Sequence, residues 1–290
     1  ARDLCQLDDP PARFVYIAAA NPVTQHPDSR ALRRVLRSLP FVVVADAFFT
    51  DTAEAADLVL PTTLMLEEDD VVASYQHHHV AVARQAVAPP EGARSDLWIL
   101  RELNRRLGRP DDQLLEDPQA ALRHLTETWF ADAEDGPDGP RRNPCQAPVP
   151  FADTFPTPSG KARLVDSPPR PVRETDGYPL IFLTPSTRAW QTSQLPESEQ
   201  DGAPLCTAHP SALEAAGLAP GDAARVVSPL GALRVQVQAD RRAHPDACIV
   251  HRGGWLRHER GVNVLVEAVA TDLGEGAALY DQRVRLEPLT

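Results

Sequence analysis

Asp46, Thr50 and Thr52 offer a carboxylate and two hydroxyls within seven residues, enough to hold a polar ligand by hydrogen bonds. They lie in the stretch 41–61, FVVVADAFFTDTAEAADLVLP. Phe41-Val42-Val43-Val44 has the β-branched character of a buried parallel strand. Asp46 follows at its carboxyl end, and Thr50-Asp51-Thr52 forms a turn that can cap a short helix through Glu54 and Ala55. Leu58-Val59-Leu60 is a second strand piece, closed by Pro61. Open α/β sheets bind ligands outside the carboxyl ends of their strands, which is where these three side chains fall. The chain carries no Gly-x-Ser-x-Gly elbow, no Walker loop and no Gly-x-Gly-x-x-Gly turn, so none of those three nucleophile or phosphate-loop motifs is present.

Metal-ligating patterns are weaker. His77 and His79 would share a face on a strand and could chelate, but no carboxylate or cysteine stands at a supporting spacing, so a structural or surface role is expected. Glu67-Glu68 and Asp69-Asp70 read as a solvated acidic turn, since no calcium-loop glycine or bidentate glutamate follows. The four cysteines, Cys5, Cys145, Cys206 and Cys248, form no Cys-x-x-Cys pair, which excludes a zinc knuckle or an iron–sulfur motif within this sequence. Separate reduced thiols fit the cytoplasm, although large periplasmic enzymes carry them too.

The elements around Asp46 alternate. Phe14-Val15-Tyr16-Ile17 reads as a strand ending in the loop Asn21-Pro22. Asp28 or Ser29 caps a helix whose apolar face is Leu32, Val35, Leu36 and Leu39, and Pro40 stops it before the next strand. Strand, helix, strand in this order implies a parallel pair with a right-handed crossover, a nucleotide half-fold. Ser95 or Asp96 starts a further helix carrying Ile99, Leu100, Leu103 and Leu107, and Gln119 to Phe130 reads as another. Residues 131–150, rich in Pro, Gly, Asp and Arg, read as a linker between domains 1–130 and 151–290. Beyond it the pattern turns to short strands. Leu233, Val235 and Val237 alternate with Arg234, Gln236 and Gln238, and Gly and Pro turns punctuate the region, as in a closed barrel.

A net charge of −12 excludes the basic footprint that nucleic acid requires, and no run approaches the roughly 20 apolar residues of a membrane helix. The chain opens on Ala1-Arg2-Asp3 and has one methionine, Met65, which suggests a trimmed piece of something longer.

Taken in order, several blocks resemble the third and fourth domains of molybdopterin oxidoreductases of the dimethyl sulfoxide reductase family. They are Asn21-Pro22, Asp46 with Thr50-Asp51-Thr52, Ala56-Asp57-Leu58-Val59-Leu60-Pro61, Leu66-Glu67, Ser74 to His78, and Pro90 to Ser95. They continue with Phe155 to Lys161, Leu183-Thr184-Pro185, His209-Pro210, Gly221-Asp222, Gly254-Trp255, Gly261 to Leu265 and Thr271 to Gly274. The resemblance implies a Rossmann-like parallel-sheet domain followed by a six-stranded double-psi β-barrel. It also implies bis(molybdopterin guanine dinucleotide) holding molybdenum or tungsten, with oxygen-atom or electron transfer at the metal.

Further implications concern single residues. Asn21 with Pro22 and its loop amides would approach a phosphate or ribose, Asp46 would accept from guanine or ribose, and Thr50 would donate to phosphate. Thr184, Thr187, Arg188, Gln191 and Ser193 would form a pterin-binding loop, with Gly254 and Asn263 completing the set. Where relatives carry Asn-Ser in that loop, this chain has Thr192-Ser193. The direct metal ligand and any iron–sulfur motif would lie in N-terminal domains outside this segment, so the segment alone would be inactive. Those domains, and an electron-transfer subunit, are the expected partners. From spacing alone, Asn21-Pro22 reads as a plain turn and Asp46 as a cap, while Asn263 reads equally as a buried amide; the ordered blocks favour ligand contact. Two other readings stay open: a non-catalytic pterin- or nucleotide-binding module, and an unrelated α/β nucleotide-binding domain beside a barrel.

Overall fold

The computed structural model describes residues 8–74, 76–109, 127, 141–142, 151–164, 175–271, 274 and 276–289. It divides into two compact units, Ala1–Val59 with Arg170–Thr290, and Leu60–Pro169.

The first part of the larger unit is the expected half-fold. Strand β1 (Val15–Ala18) leads through a single helical turn α1 (Pro22–Gln25) to helix α2 (Ser29–Ser38), strand β2 (Val42–Asp46), a 3-10 turn at Ala53–Ala55 and strand β3 (Leu58–Pro61). β1 and β2 are parallel, with Val15 opposite Val42 and Ala18 opposite Ala45, in a sheet of order β1-β2-β3. Asp28 caps α2 by accepting the Ala31 N–H at 3.0 Å from a left-handed backbone that aspartate tolerates well. Leu32 and Leu36 on one face of α2 pack with Val23, Val42 and Val44 into a small core. Phe41, read as the start of the strand, lies outside it and is exposed.

The smaller unit carries β4 (Asp70–Ala73), β5 (His79–Ala83), helix α3 (Asp96–Arg106) and β6 (Arg141–Arg142). β5 pairs antiparallel with β4 and β6. Ser95 caps α3 by accepting the Trp98 N–H at 3.1 Å, and Gly108 ends the helix region with φ of +64°. Of the apolar residues read along α3, only Ile99 is buried. Apart from residues 127 and 141–142, the helix read at 119–130 and the linker read at 131–150 fall outside the described residues.

The rest of the larger unit is a closed six-stranded barrel. Its strands are β7 (Leu180–Leu183), β8 (Leu205–Ala208), β9 (Ala223–Ser228), β10 (Gly231–Ala239), β11 (Ala247–Val250) and β12 (Arg283–Pro288), with helix α4 (Pro210–Ala215) after β8. The order around the barrel is β10-β8-β11-β7-β12-β9, closed by the β9–β10 hairpin. Two neighbouring pairs, β10/β8 and β11/β7, are parallel, which separates this barrel from an up-and-down one. Alternation in β10 sends Leu233, Val235 and Val237 inward against Phe182, Val226 and Val250, and leaves Arg234, Gln236 and Gln238 outside.

Candidate functional site

β2 ends at Asp46, and the chain then turns through Phe48 and Phe49, both more than half exposed, into Thr50-Asp51-Thr52, all three buried. Asp46 Oδ1 accepts the Phe48 N–H at 3.0 Å, which holds the turn at the strand end. Thr50 Oγ1 accepts the Ala53 N–H at 3.2 Å, the capping role its type suggests, and among the described residues none accepts its hydroxyl proton.

Beside it runs a chain of buried hydrogen bonds. The Val23 N–H donates to Thr52 Oγ1 at 3.1 Å, and Thr52 donates to Asn21 Oδ1 at 2.7 Å. Asn21 Nδ2 donates to Thr24 Oγ1 and Thr24 donates to Asp51 Oδ2, each at 3.0 Å. The run ends on the Asp51 carboxylate, which also accepts the backbone N–H groups of Leu256 and Arg257 from the barrel. Each donor in such a chain polarises the next, and a charged acceptor at its end strengthens the series. Asn21 therefore has both ends of its amide engaged inside the protein.

Three more bonds join the half-fold to the barrel. Asn263 Nδ2 donates to the Thr24 carbonyl at 2.8 Å, the Asp28 N–H donates to the Val266 carbonyl at 2.9 Å, and Gln25 Nε2 donates to Ser193 Oγ at 3.0 Å. The last ties the Asn21-Pro22 turn to the loop 184–193.

That loop leaves the carboxyl end of β7. Thr187 closes it on itself, accepting the Trp190 N–H at 2.8 Å and donating to the Trp190 carbonyl at 3.1 Å. Arg252 braces its start by donating to the Thr184 carbonyl, and Trp255 braces its end by donating to the Ser193 carbonyl at 3.4 Å. Arg188 and Gln191 are exposed, and Arg188 has no ion-pair partner among the described residues. Thr184 is 1% exposed, and its hydroxyl has no partner among the described residues. Gly254 is buried against the backbone of Arg260, where a Cβ would come within 2.3 Å of the carbonyl oxygen. Its missing side chain makes room for protein.

The sequence-derived residues thus separate by use. Asn21, Gly254 and Asn263 sit buried at the joint, Ser193 is half-buried at its edge, Thr50 caps the turn beside it, and Pro22 opens α1. Asp46 stands at the strand end, and Thr184, Thr187, Arg188 and Gln191 belong to the barrel loop. Sequence reasoning missed Asp51, Thr24, Gln25 and Gln200. Gln200 donates to the Gly253 carbonyl and accepts the Trp255 N–H, fixing the backbone around Gly254. A carboxylate between two threonines, next to the most apolar run in the half-fold, was the available signal for Asp51. His77 lies in the bend before β5 and His79 is the first residue of that strand, so the two do not share one strand face; their ring centroids are 5.7 Å apart. Among the described residues no group of three or more His, Cys, Asp or Glu could hold a metal ion.

Residues 5–106 match the family model for molybdopterin oxidoreductase, and residues 186–282 match that for the molydopterin dinucleotide binding domain, together more than half of the chain. The chain belongs to the molybdopterin oxidoreductase family. It is 27% identical to the probable oxidoreductase YyaE of Bacillus subtilis, over 99% of this chain and 47% of that protein. It is 36% identical to the assimilatory nitrate reductase of Haloferax mediterranei, over 61% of this chain and 28% of that protein. Its fold superposes on acetylene hydratase from Pelobacter acetylenicus with a TM-score of 0.78 and 18% identity, covering 98% of this chain and 45% of the other. The chain therefore spans about half the length of these curated relatives, or less.

Proposed function

We propose that this chain is the cofactor-binding C-terminal portion of an oxidoreductase that carries bis(molybdopterin guanine dinucleotide) with molybdenum or tungsten. The observation that carries the reading is the Gln25–Ser193 bond, because it joins the two loops expected to face the cofactor. The residues present also fit such a group. Thr184 has a buried hydroxyl without a partner among the described residues, a costly state that a polar ligand would relieve. Arg188 presents a guanidinium whose fork matches a phosphate.

On this reading Asp46 accepts from the guanine or ribose. Thr50 donates its hydroxyl proton to a phosphate. Asn21, with its amide already engaged, contributes through the backbone of its turn with Pro22. Thr184, Thr187, Gln191 and Ser193 line the pterin side, where Arg252 and Trp255 hold their loop in place. Gly254 and Asn263 act by fixing the joint between the two parts. When bound, the group supplies a metal able to exchange electrons or an oxygen atom with substrate. The direct metal ligand and any iron–sulfur cluster are assigned to the N-terminal domains of the full-length protein, with an electron-transfer subunit as a further partner. The segment alone is then inactive.

No described helix is long and apolar enough to cross a membrane. The unbridged thiols of Cys206 and Cys248 support the cytoplasm as the compartment.

Full-length protein from cofactor-competent cells, analysed for metal and for oxidatively released pterin, tests the assignment. A pair of pterin dinucleotides for each molybdenum or tungsten atom is expected. Absence of metal and pterin together would sink it, and pterin without metal would replace it with a non-catalytic carrier.

A further inference from the structure

Helix α2 and the β9–β10 hairpin border a cleft of about 410 Å³, within the range of small-molecule sites. Four arginines line it: Arg30 and Arg33 from α2, Arg225 from β9 and Arg234 from β10. Glu259 is the one carboxylate in the lining, and Leu256 supplies apolar surface. This concentration of positive charge occurs in a chain whose net charge is −12.

The arrangement costs stability unless something offsets it. Arg225 and Arg234 are directly opposite one another in the antiparallel register, a placement that is unfavourable for like charges. Arg30 and Arg33 repeat the problem on the helix, three residues apart on one face. Carboxylates within the protein relieve little of it. Arg225 shares Glu287 with Arg285, at 3.6 Å against 2.7 Å. Arg30, Arg33 and Arg234 have no ion-pair partner among the described residues. The Arg30 guanidinium lies against the hairpin turn, where a Cβ on Gly231 would stand 2.8 Å from its Nη1 atom. Glycine at that turn leaves the room this guanidinium occupies.

We infer that this cleft is a binding site for a diphosphate or longer oligophosphate group. Guanidinium forks match phosphoryl oxygens in geometry as well as charge, and groups on two facing elements can each take one phosphoryl unit. A single carboxylate would satisfy one fork and leave the opposed pairs uncompensated. The inference goes beyond the cofactor assignment and does not depend on it, because none of the four arginines is among the residues assigned to the cofactor.

Full-length protein with its native cofactor complement serves for the test, with inorganic pyrophosphate as the probe. Binding is followed by titration calorimetry and by the thermal midpoint, against sodium chloride of equal ionic strength. Saturable binding is expected, with a rise in midpoint that chloride does not reproduce. The double variant R33Q/R234Q should weaken it by at least about tenfold, and E259Q should tighten it, with metal and pterin content unchanged in both. No binding beyond the chloride control would overturn the inference. So would undiminished binding in R33Q/R234Q, which would put the anion elsewhere. If the double variant misfolds by circular dichroism, E259Q decides alone, and failure to tighten counts against the site.

Discussion

The carboxylate of Asp51 accepts the backbone N–H of Arg257 at 3.1 Å, although 206 residues separate them in the chain. Asp51 is fully buried and also accepts the Leu256 N–H and the Thr24 hydroxyl, so its charge is held by three donors. Through it the carboxyl end of the β-strand fold and the Trp255–Arg257 segment of the barrel become one wall. Arg257 adds to this wall from the other side, stacking 4.6 Å over the Trp255 ring and pairing with Glu197 at 2.7 Å.

Replacing Asp51 with alanine leaves two barrel N–H groups and one hydroxyl without this acceptor. The expected loss is about 3 kcal/mol, from charge-assisted bonds and the desolvated donors left behind. Urea unfolding of Asp51→Ala should show a lowered midpoint, and metal and pterin content should fall with it. An unchanged midpoint would mean that the joint does not depend on this carboxylate.

Asn263 makes a second, neutral contact in the same joint, donating to the Thr24 carbonyl. Asn263→Asp keeps the shape but turns a donor into an acceptor facing another acceptor. It should therefore cost more than Asn263→Ala, which should lose about 1–2 kcal/mol. Equal losses in denaturant titrations would argue that volume rather than the donated proton matters here.

Much of this architecture is visible in residue patterns, because those patterns record local burial. The alternation in β10 and the single apolar face of α2 each follow from which side of an element meets the core. The Asp51 joint leaves no comparable trace. Two of its three partners are backbone N–H groups, which every non-proline residue carries, so side-chain types cannot show that Leu256 and Arg257 will arrive there. Gln200 is hidden for the same reason, since it serves the backbone of Gly253 and Trp255. Gly254 illustrates the converse: its type signals close approach, but the approaching group is the Arg260 carbonyl. Helix α3 shows another limit, because its spacing of Leu100, Leu103 and Leu107 defines a face without saying what covers it.

Cys206 and Cys248 lie on adjacent strands inside the barrel, fully buried and unbridged. The hydrogen bond with Cys206, and then burial, push the Cys248 thiol well above its ordinary range. The folded protein thus holds this proton where the unfolded chain would release it. The associated stability is complete below the ordinary thiol pKa and is lost as pH rises beyond it. Stability should decline above about pH 8.5, by up to about 1.4 kcal/mol per pH unit for this one group. Alkylation mapped by mass spectrometry should leave both cysteines unlabelled in the native protein and label both in denaturant. Native labelling of Cys248 would contradict the barrel packing.

Thr184 allows the cofactor assignment to be separated from simple packing. Its hydroxyl is buried and unmatched among the described residues, while its carbonyl is already used by Arg252. Thr184→Val preserves the β-branched shape and removes only the unmatched group. In cofactor-free protein the variant should be at least as stable as the parent, with a gain of up to about 1 kcal/mol, because a desolvated hydroxyl without a partner is unfavourable. If that hydroxyl meets the pterin, the same substitution should lower metal and pterin retained per chain. The two measurements therefore move in opposite directions when the hydroxyl is kept for a ligand. A gain in stability with cofactor content unchanged would remove Thr184 from the binding set and leave its orphaned hydroxyl as a local cost of the barrel.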